Sequence, residues 1–486
     1  MSMPSNPPNW GTRSVQLHLP SRTSTVDWQT NPQLGLAMVV VALGLAILTI
    51  PVECSAAGAL RLPATIFSVA LVVPTLLQLQ HAPKSAFHAL NIAAASPVYW
   101  LLLDMIQGAY PLLRISQADV INSFVCIALF TGGVWIGGML PPGRIPSRLR
   151  AGLSVQLTPR QLTTLIIIAF SLAFLKFAVP AKFDLYAMVG AFNGGRWASP
   201  WGRGAMGGWD AFLDHFAYFG YILPVLVTLL ARQLGWLHSR TLVALSLTLI
   251  IAAFMAVGGG RRIIGVMVGS ALTVWLLSNP RVRLRSLITI GLCAFALLFV
   301  MQVILTYRNV GIAKAFGGDF NERMTERNYL HVDDNFLRLT QLTQIVPEKH
   351  PYVTWQWPLW IAVRPIPRIF WPGKPVDPGF NLPRYLGVKG VSYSSSIIGE
   401  LYMAFGFLGC ATGGVFIGWL AISLVRTFEL YSKSGGLIVY GIGVLALFAG
   451  TRSGIDLVLM SYGIVGWFLV IAIYQNFFGS LSVHER

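Results

Sequence analysis

Nine basic side chains of this 486-residue sequence stand in short turns, at helix ends or in a proline-rich segment, where an anion could be bound. They are Arg196, Arg203, Arg261, Arg262, Arg308, Arg364, Arg368, Lys374 and Arg452. Five of them lie beside glycine or in glycine-rich turns, and glycine lets a backbone approach a ligand closely and present its N–H groups. The guanidinium fork matches phosphate oxygens in a bidentate way. The set predicts a site for a pyrophosphate or another polyanion, although each arginine alone is equally explained by a side chain that snorkels to lipid headgroups.

Carboxylates supply the second kind of candidate chemistry. Glu400 stands about one turn into a helix in SSSIIGELYMAFGFLG, Asp333 and Asp334 lie in HVDDNF, and Asp456 follows TRSG. A charge at the end of a membrane helix is a functional hypothesis by default, and Glu400 is the best placed of these to act as a base. The alternatives are a salt bridge from Glu400 to an arginine and a solvated helix face for Asp333 and Asp334. No second acidic cluster has ligand spacing, so we predict neither a metal site nor a cofactor.

The composition sets the class of protein that must position these residues. The chain is 55% hydrophobic and 11% charged, whereas soluble proteins carry about 25% charged residues. This excludes a cytosolic enzyme and a disordered chain. The four cysteines form no CxxC pair, which argues against a disulfide scaffold or a redox motif. A net charge of +17 is compatible with nucleic-acid binding, but in a membrane protein it indicates basic cytoplasmic loops or an anion site, and we predict no nucleic-acid partner.

Apolar segments long enough to approach the length of a membrane span, about 20 residues, recur along the chain. Twelve segments qualify: 34–50, 63–79, 87–106, 119–140, 161–179, 213–231, 241–257, 263–278, 287–305, 396–425, 436–450 and 455–474. The sequence therefore predicts an all-α polytopic integral membrane protein with about twelve transmembrane helices, within a range of ten to thirteen.

The basic residues of the connecting loops predict the orientation. With the N-terminus inside, the internal loops hold twelve Lys or Arg and the short external turns hold five, in agreement with the positive-inside rule. Both termini are then cytoplasmic. The first apolar run starts near Leu34, too late for the apolar core of a cleavable signal peptide.

Four regions follow from this arrangement. Residues 1–33 are predicted to be a disordered cytoplasmic tail, and 34–305 to hold helices one to nine with an external loop at 180–212. Residues 306–395 form the large external loop, and 396–486 hold helices ten to twelve and a short cytoplasmic tail. Within the large loop, the spacing of apolar residues over 321–346 predicts an amphipathic helix that lies on the membrane or caps the bundle.

Residues 351–384, which we call the proline-rich arm, contain eight prolines and several interfacial aromatics, including Trp371. Prolines exclude a long helix and favour an extended chain. A polyproline-like run rises about 3.1 Å per residue, which would place the Cα atoms of Arg364 and Arg368 roughly 12 Å apart. Arg368 is then expected to join Arg261, Arg262 or Arg452 on a pyrophosphate, while Arg364 holds the arm or a sugar.

Two stretches carry a resemblance to a known family. IPRIFWPGKP at 366–375, followed by SYSSSIIGELYMAFGFLG at 392–409, resembles the bacterial oligosaccharide repeat-unit polymerases of the Wzy type. GGGRR at 258–262 and the segment around Arg308 are also similar to that family. The similarity covers about 150 residues, from 258 to 409, and GGGRR alone is a weak signal.

The resemblance implies a metal-independent glycosyltransferase at the periplasmic face of the bacterial inner membrane. Donor and acceptor glycans are both carried on undecaprenyl pyrophosphate, and a chain-length regulator and a flippase are the implied protein partners. Arg368, Glu400, Arg261 and Arg262 would be catalytic. The substrate-binding set would be Arg308, Arg364, Trp371, Lys374, Arg452, Tyr402, Arg196 and Arg203.

Two other functions fit the same sequence. An O-antigen-type ligase, or another lipid-linked glycosyltransferase, uses the same donor with a different acceptor, and only the proline-rich arm favours the polymerase. A secondary transporter or flippase also has about twelve helices with glycine breaks, but transporters place their charges near the bilayer midplane. Here the charges collect at one face, next to a 90-residue external loop.

Overall fold

The computed structural model describes residues 28, 30–109, 112, 115–194, 199–202, 209–257, 261–279, 282, 284–307, 329–330, 332–388 and 393–479. These residues form helices joined by turns and no β-strand. The first thirteen α-helices are α1 (Pro32–Thr49), α2 (Arg61–Leu79), α3 (Ala89–Pro97), α4 (Leu103–Gln107), α5 (Gln117–Gly138), α6 (Ser147–Ser154), α7 (Pro159–Ala178), α8 (Leu185–Gly190), α9 (Asp210–Phe216), α10 (Phe219–Leu234), α11 (Ser239–Val257), α12 (Arg261–Leu277) and α13 (Leu284–Tyr307). The remainder are α14 (Asn335–Ile345), α15 (Gln356–Ala362), α16 (Leu382–Tyr385), α17 (Ser396–Leu430), α18 (Ser434–Gly450) and α19 (Gly454–Phe478).

Each of the twelve predicted apolar segments is helical over most of its length. Among the described residues, nine helices are long and apolar enough to cross a membrane; α3 and α4, joined by a π-helical turn at Val98–Leu102, count as one of them. Three apolar helices are shorter: Arg262–Leu277, Ile288–Val303 and Ser434–Gly450. The architecture is that of a polytopic, all-helical membrane protein.

Local sequence fixes several helix starts. Ser116 and Thr158 each accept a hydrogen bond from the third residue of the following helix, whose side chain in turn accepts from the cap backbone. This capping box satisfies N–H groups that would otherwise lack a partner. It places the beginnings of α5 and α7 within two residues of the sequence prediction.

Helices α5 and α17 share the most extensive helix contact among the described residues, and glycines allow their backbones to approach closely. An added Cβ at Gly133 would lie 2.5 Å from the carbonyl oxygen of Ala411, and one at Gly137 would lie 2.1 Å from that of Val415. Gly414 and Gly418 are equally close to carbonyl oxygens of α5. The string GVFIG at 414–418 thus supplies both of the α17 glycines in this interface. Small residues let backbones approach closely where the lipid gives no hydrophobic drive to association.

Helix α17 reverses direction, which the sequence did not predict. Its 35 residues would extend to roughly 52 Å if straight. Phe405 and Gly406 leave the helical conformation, with φ of +64° at Gly406. As a result, the Cys410 thiol lies 3.5 Å from the Ile398 carbonyl oxygen, although twelve residues of straight helix would separate them by about 18 Å. The segment 396–404 is therefore a short helix folded back onto the spanning segment 407–430.

Helices α12 and α18 are shorter than the spanning segment 407–430. α12 and α18 have 17 residues each, or roughly 25 Å, whereas 407–430 has enough residues for about 36 Å. The 450–454 turn between α18 and α19 is bound from the side by the folded-back helix, because Ile397 N–H donates to the Thr451 carbonyl at 3.0 Å. The residues of this turn are thus held within the helix bundle.

The described part of the large loop packs into the same end. α14 buries Phe336, Leu339, Leu342 and Ile345, none more than 3% exposed, against α5 and α17. Of the amphipathic helix predicted over 321–346, a helix is present at 335–345, and it packs into the bundle. Residues 321–328 and 331 lie outside the described residues. The predicted tails at 1–27 and 480–486 lie outside the described residues.

Candidate anion-binding site

Two arginines that are far apart in sequence share one buried carboxylate. Arg262 stands in the first turn of α12, Arg452 in the 450–454 turn, and Asp456 in the first turn of α19. Asp456 is 1% exposed. Its oxygens lie 3.0 Å from Nη1 of Arg262 and 2.8 Å from Nη1 of Arg452. The carboxylate fixes both guanidinium groups, and the Arg262 side chain keeps 36% of its surface exposed.

Asp333 holds Arg452 from the opposite side, through a short ion pair to Nε. The backbone before Asp333 is clamped by α4: Leu330 exchanges two hydrogen bonds with the Gln107 amide, at 2.8 and 3.1 Å. Burial disfavours the charged form of Arg452, but Asp333 and Asp456 outweigh this effect and hold the pKa of Arg452 above its ordinary value. Arg452 is therefore a permanent, oriented cation.

Glu400 joins the proline-rich arm to the 450–454 turn. It is 8% exposed, and it accepts hydrogen bonds from Trp357 Nε1 at 3.1 Å, Ser453 Oγ at 2.6 Å and Gly454 N at 2.9 Å. Trp357 belongs to α15, the first helix of the arm. The sequence alternative of a salt bridge does not apply among the described residues, where these neutral donors surround the carboxylate.

Gly454 allows this junction to close. A Cβ there would lie 2.8 Å from Ile361 Cδ1 and 3.1 Å from Glu400 Oε2. These distances are shorter than ordinary van der Waals contact, so a side chain at 454 would require the neighbouring side chains of α15 and Glu400 to move. The absence of a Cβ at Gly454 thus fits the close contact between the turn and the arm.

Two cations of the arm, Arg364 and Arg368, lie close to a third, Lys374. Its side chain is buried, and Nζ donates to the carbonyl oxygens of Arg364 at 3.1 Å and Ile366 at 2.6 Å. Arg368 donates to the carbonyls of Pro372 and Pro375 at 3.5 and 3.4 Å. Burial, and then the charges of Arg364 and Arg368, lower the pKa of Lys374. Like charges held this close favour the binding of an anion.

The prediction of an extended arm is wrong in its geometry. Prolines do limit helix length, since α15 has only seven residues. Beyond it, however, the chain forms consecutive turns, with Arg364 N–H donating to Ile361 O and Ile366 N–H to Val363 O. Proline fixes its own φ but leaves turns open to the residues around it. The folded turns bring Arg364 and Arg368 within electrostatic range of the same lysine.

The other predicted residues are dispersed. Tyr402 is buried, and its hydroxyl donates to the Val346 carbonyl at 3.0 Å, whereas Trp371 is partly exposed on the arm. The described contacts of Arg368 are within the arm and do not join it to Arg262 or Arg452. Arg196, Arg203 and Arg308 lie outside the described residues, as does the side chain of Arg261.

Sequence reasoning gave Asp456 too little weight. The signal was available, because Asp456 follows Arg452 by four residues, the spacing at which helical side chains pair. Within the described ranges, no three His, Cys, Asp or Glu side chains are grouped to ligate a metal ion, and metal independence stays a prediction.

No family model, no curated protein and no solved structure matches this chain. The arrangement itself offers two sets of cationic donors on one end of a membrane-embedded helical bundle, one around Asp456 and one around Lys374. Such donors can bind a diphosphate and stabilise negative charge that develops on it.

Proposed function

We propose that this protein is a glycosyltransferase that polymerises oligosaccharide repeat units carried on undecaprenyl pyrophosphate, at the periplasmic face of the bacterial inner membrane. The observation that carries the proposal is the convergence of Arg262 and Arg452 on buried Asp456. Guanidinium groups that are fixed before substrate binds need no reorganisation when charge develops during the reaction.

The reaction fits the charges of the site. In transfer of a glycan, the bond between the anomeric carbon and the diphosphate oxygen breaks, and the electron pair leaves with the diphosphate. Arg262 and Arg452 are matched in charge by Asp333 and Asp456, so they orient the leaving group more than they attract it. The long-range attraction would come from the arm, where Arg368 and Lys374 form no ion pair with a described carboxylate.

The exposed aromatic surface of the arm suits a lipid-linked glycan. Trp355 is 76% exposed and Phe370 is 70% exposed. Aromatic side chains of this kind favour the membrane interface and are able to pack on polyprenyl chains or on sugar rings. The same segment therefore combines cations for the diphosphate with an apolar face for its neighbours in the substrate.

The test is a polymerisation assay with purified protein in lipid nanodiscs and the lipid-linked repeat unit as the only glycan. We expect a ladder of oligomers from the wild type. Arg452→Lys keeps a charge for Asp333 and Asp456 but loses the planar fork, and we expect it to lower turnover by about 10²-fold. Arg426→Gln is the matched control, since Arg426 forms an exposed pair with Glu429 far from the site in the predicted topology.

Three results would contradict the proposal. Transfer of the glycan to a different acceptor, with no ladder, would identify a ligase. Movement of the lipid-linked unit across the bilayer without bond formation would identify a flippase. A wild-type rate in Arg452→Lys would reduce the arginine to a structural counterion.

A further inference from the structure

Arg338 is a buried arginine in the described part of the large loop. It belongs to α14 and is 8% exposed. Its Nη1 donates to Gln341 Oε1 at 2.9 Å, and its Nη2 donates to Asp334 Oδ2 at 3.2 Å. Its Cζ lies 3.6 Å from the centroid of the Tyr393 ring, which is close enough for a cation–π contact. Buried charges are found paired in this way because an unpaired one is costly.

Asp334, the first of these partners, is the chain neighbour of a residue that holds Arg452. The preceding residue, Asp333, forms the short ion pair with Nε of Arg452. One carboxylate thus binds Arg338 and its neighbour binds Arg452. Because consecutive Cα atoms are fixed about 3.8 Å apart, a displacement of Asp334 moves Asp333 as well. The ion pair of Arg338 therefore limits the positions that the Asp333 carboxylate can take.

Tyr393, the second partner, is next to another residue that holds Arg452. The hydroxyl of Ser394 donates to the backbone carbonyl of Arg452 at 2.7 Å, and Arg338 stacks on the ring of the residue just before it. The side chain and the backbone of Arg452 are thus held by two separate segments of the chain. Arg338 contacts both of these segments.

The attachment of α14 to the bundle has a separate basis. The apolar face of the helix is buried through four side chains, Phe336, Leu339, Leu342 and Ile345. Replacement of buried ion pairs by apolar side chains is often neutral for stability. The packing of the helix therefore does not explain the buried charge of Arg338, whereas its contacts with the two segments that hold Arg452 do.

We infer that Arg338 is a positioning residue of the proposed glycosyl transfer. It holds the two segments at a fixed separation and thereby sets the direction in which the Arg452 guanidinium donates to the leaving diphosphate. Arg338 acts through Asp333 and Ser394, and it needs no contact with the substrate. The inference rests on the proposed function, and it adds to that function the group that orients one of its two arginines.

The expected effect is on turnover. Charge develops on the diphosphate as the glycan leaves, so a misdirected guanidinium loses more in the transition state than in the bound substrate. In the proposed function the long-range attraction for the substrate comes from the arm, to which Arg338 does not belong. A misplacement of about 1 Å can cost about 10²-fold in rate. We therefore expect Arg338→Gln to lower kcat by about 10- to 10²-fold and to leave KM nearly unchanged.

Substitutions at Tyr393 test the route from Arg338 to Arg452. Tyr393→Phe keeps the aromatic face, and we expect a normal kcat. Tyr393→Leu removes the ring on which the guanidinium stacks, and we expect it to lower kcat at unchanged KM, as Arg338→Gln does. Residues that act as one unit have non-additive effects. The double variant Arg338→Gln, Tyr393→Leu is therefore expected to be no slower than Arg338→Gln alone.

Thermal unfolding in detergent establishes that each variant is folded. The Asp334 side chain keeps 36% of its surface exposed, so water is able to solvate it when Arg338 is replaced, and we expect folded protein. Arg426→Gln is the matched control, because Arg426 also pairs with a carboxylate one turn away, that of Glu429. We expect this control to leave kcat and KM unchanged.

Four results would overturn the inference and leave the polymerase intact. They are a wild-type kcat in Arg338→Gln, a raised KM at unchanged kcat in that variant, a normal kcat in Tyr393→Leu, and additive losses in the double variant. If Arg338→Gln does not fold, the two Tyr393 variants decide the question. Wild-type protein that forms no ladder would refute the proposed function, and the inference with it.

Discussion

At the scale of single residues, Glu400, which the sequence predicts to be a base, has both carboxylate oxygens engaged in hydrogen bonds. Oε2 accepts from Trp357 and Gly454, and Oε1 accepts from Ser453. These donors come from the arm and from the 450–454 turn. The contacts favour a carboxylate that holds two segments together, while the prediction that Glu400 activates the acceptor stays open to experiment.

Substitutions at Glu400 distinguish the two roles. In Glu400→Gln, the amide oxygen is able to accept from Trp357 and Gly454, and the amide nitrogen is able to donate to the Ser453 hydroxyl. We expect this variant to keep its thermal stability and most of its polymerisation rate. Glu400→Ala leaves three buried donors without an acceptor, at about 1–3 kcal/mol each, and we expect a lower unfolding temperature. A stable Glu400→Gln protein without activity would instead favour Glu400 as the base.

At the scale of elements, the pairing of α5 with α17 determines where the arm can attach. The glycine contacts bring the spanning segment 407–430 against α5, and the reversal at Gly406 then returns 396–404 to the 450–454 turn. Val353 and Thr354, just before the arm helix, donate to the carbonyls of Met403 and Ala404 at the end of the folded-back helix. Backbone hydrogen bonds therefore connect the end of the folded-back helix directly to the beginning of the arm.

The glycine interface is tested by adding one methyl group. A Cβ at Gly418 would lie 2.1 Å from the Val134 carbonyl oxygen, so Gly418→Ala must separate the helices. We expect destabilisation by about 1–3 kcal/mol, as in overpacked cores, measured as a lower unfolding temperature in detergent. Gly44→Ala in α1 is the matched control, because nothing lies within 4 Å of its Cβ position. Equal unfolding temperatures for the two variants would contradict the close packing.

At the scale of the whole molecule, the site depends on the orientation of the bundle. The distribution of Lys and Arg in the loops predicts that the arm and the 450–454 turn are external. The lipid-linked substrate must then be presented on that side. If the bundle had the opposite orientation, the candidate residues would face the cytoplasm, and the proposed function would lose its basis.

Labelling of introduced cysteines measures this orientation. Cys293 is exposed and the other three native cysteines are buried. The introduced cysteines are therefore placed in a Cys293→Ser background, which limits reaction of the label with native cysteines. With a membrane-impermeant maleimide on intact cells, we expect Asp377→Cys to react and Arg148→Cys to react only after permeabilisation. The reverse pattern would refute both the topology and the location of the site.

The sequence by itself determined the all-helical, membrane-spanning class of the fold, because the composition of an apolar segment favours its insertion into the bilayer. It also determined the helix starts at Ser116 and Thr158 and the concentration of arginines in turns. The prolines limit helix length in the arm, as the sequence predicts. They do not determine the turns of the arm, because the hydrogen bonds there depend on groups such as the buried amine of Lys374.

Only the tertiary structure decided which of these groups meet. Arg262 and Asp456 are 194 residues apart, and His215 and Pro365 are 150 apart. Apolar periodicity is local and carries no information about such pairs. Between helices in lipid, association depends on close backbone approach and on polar contacts, as at Gly133, Gly418 and Asp456. The reversal at Gly406 uses a positive φ that glycine tolerates, and a Cβ there would lie 2.8 Å from the Tyr352 hydroxyl.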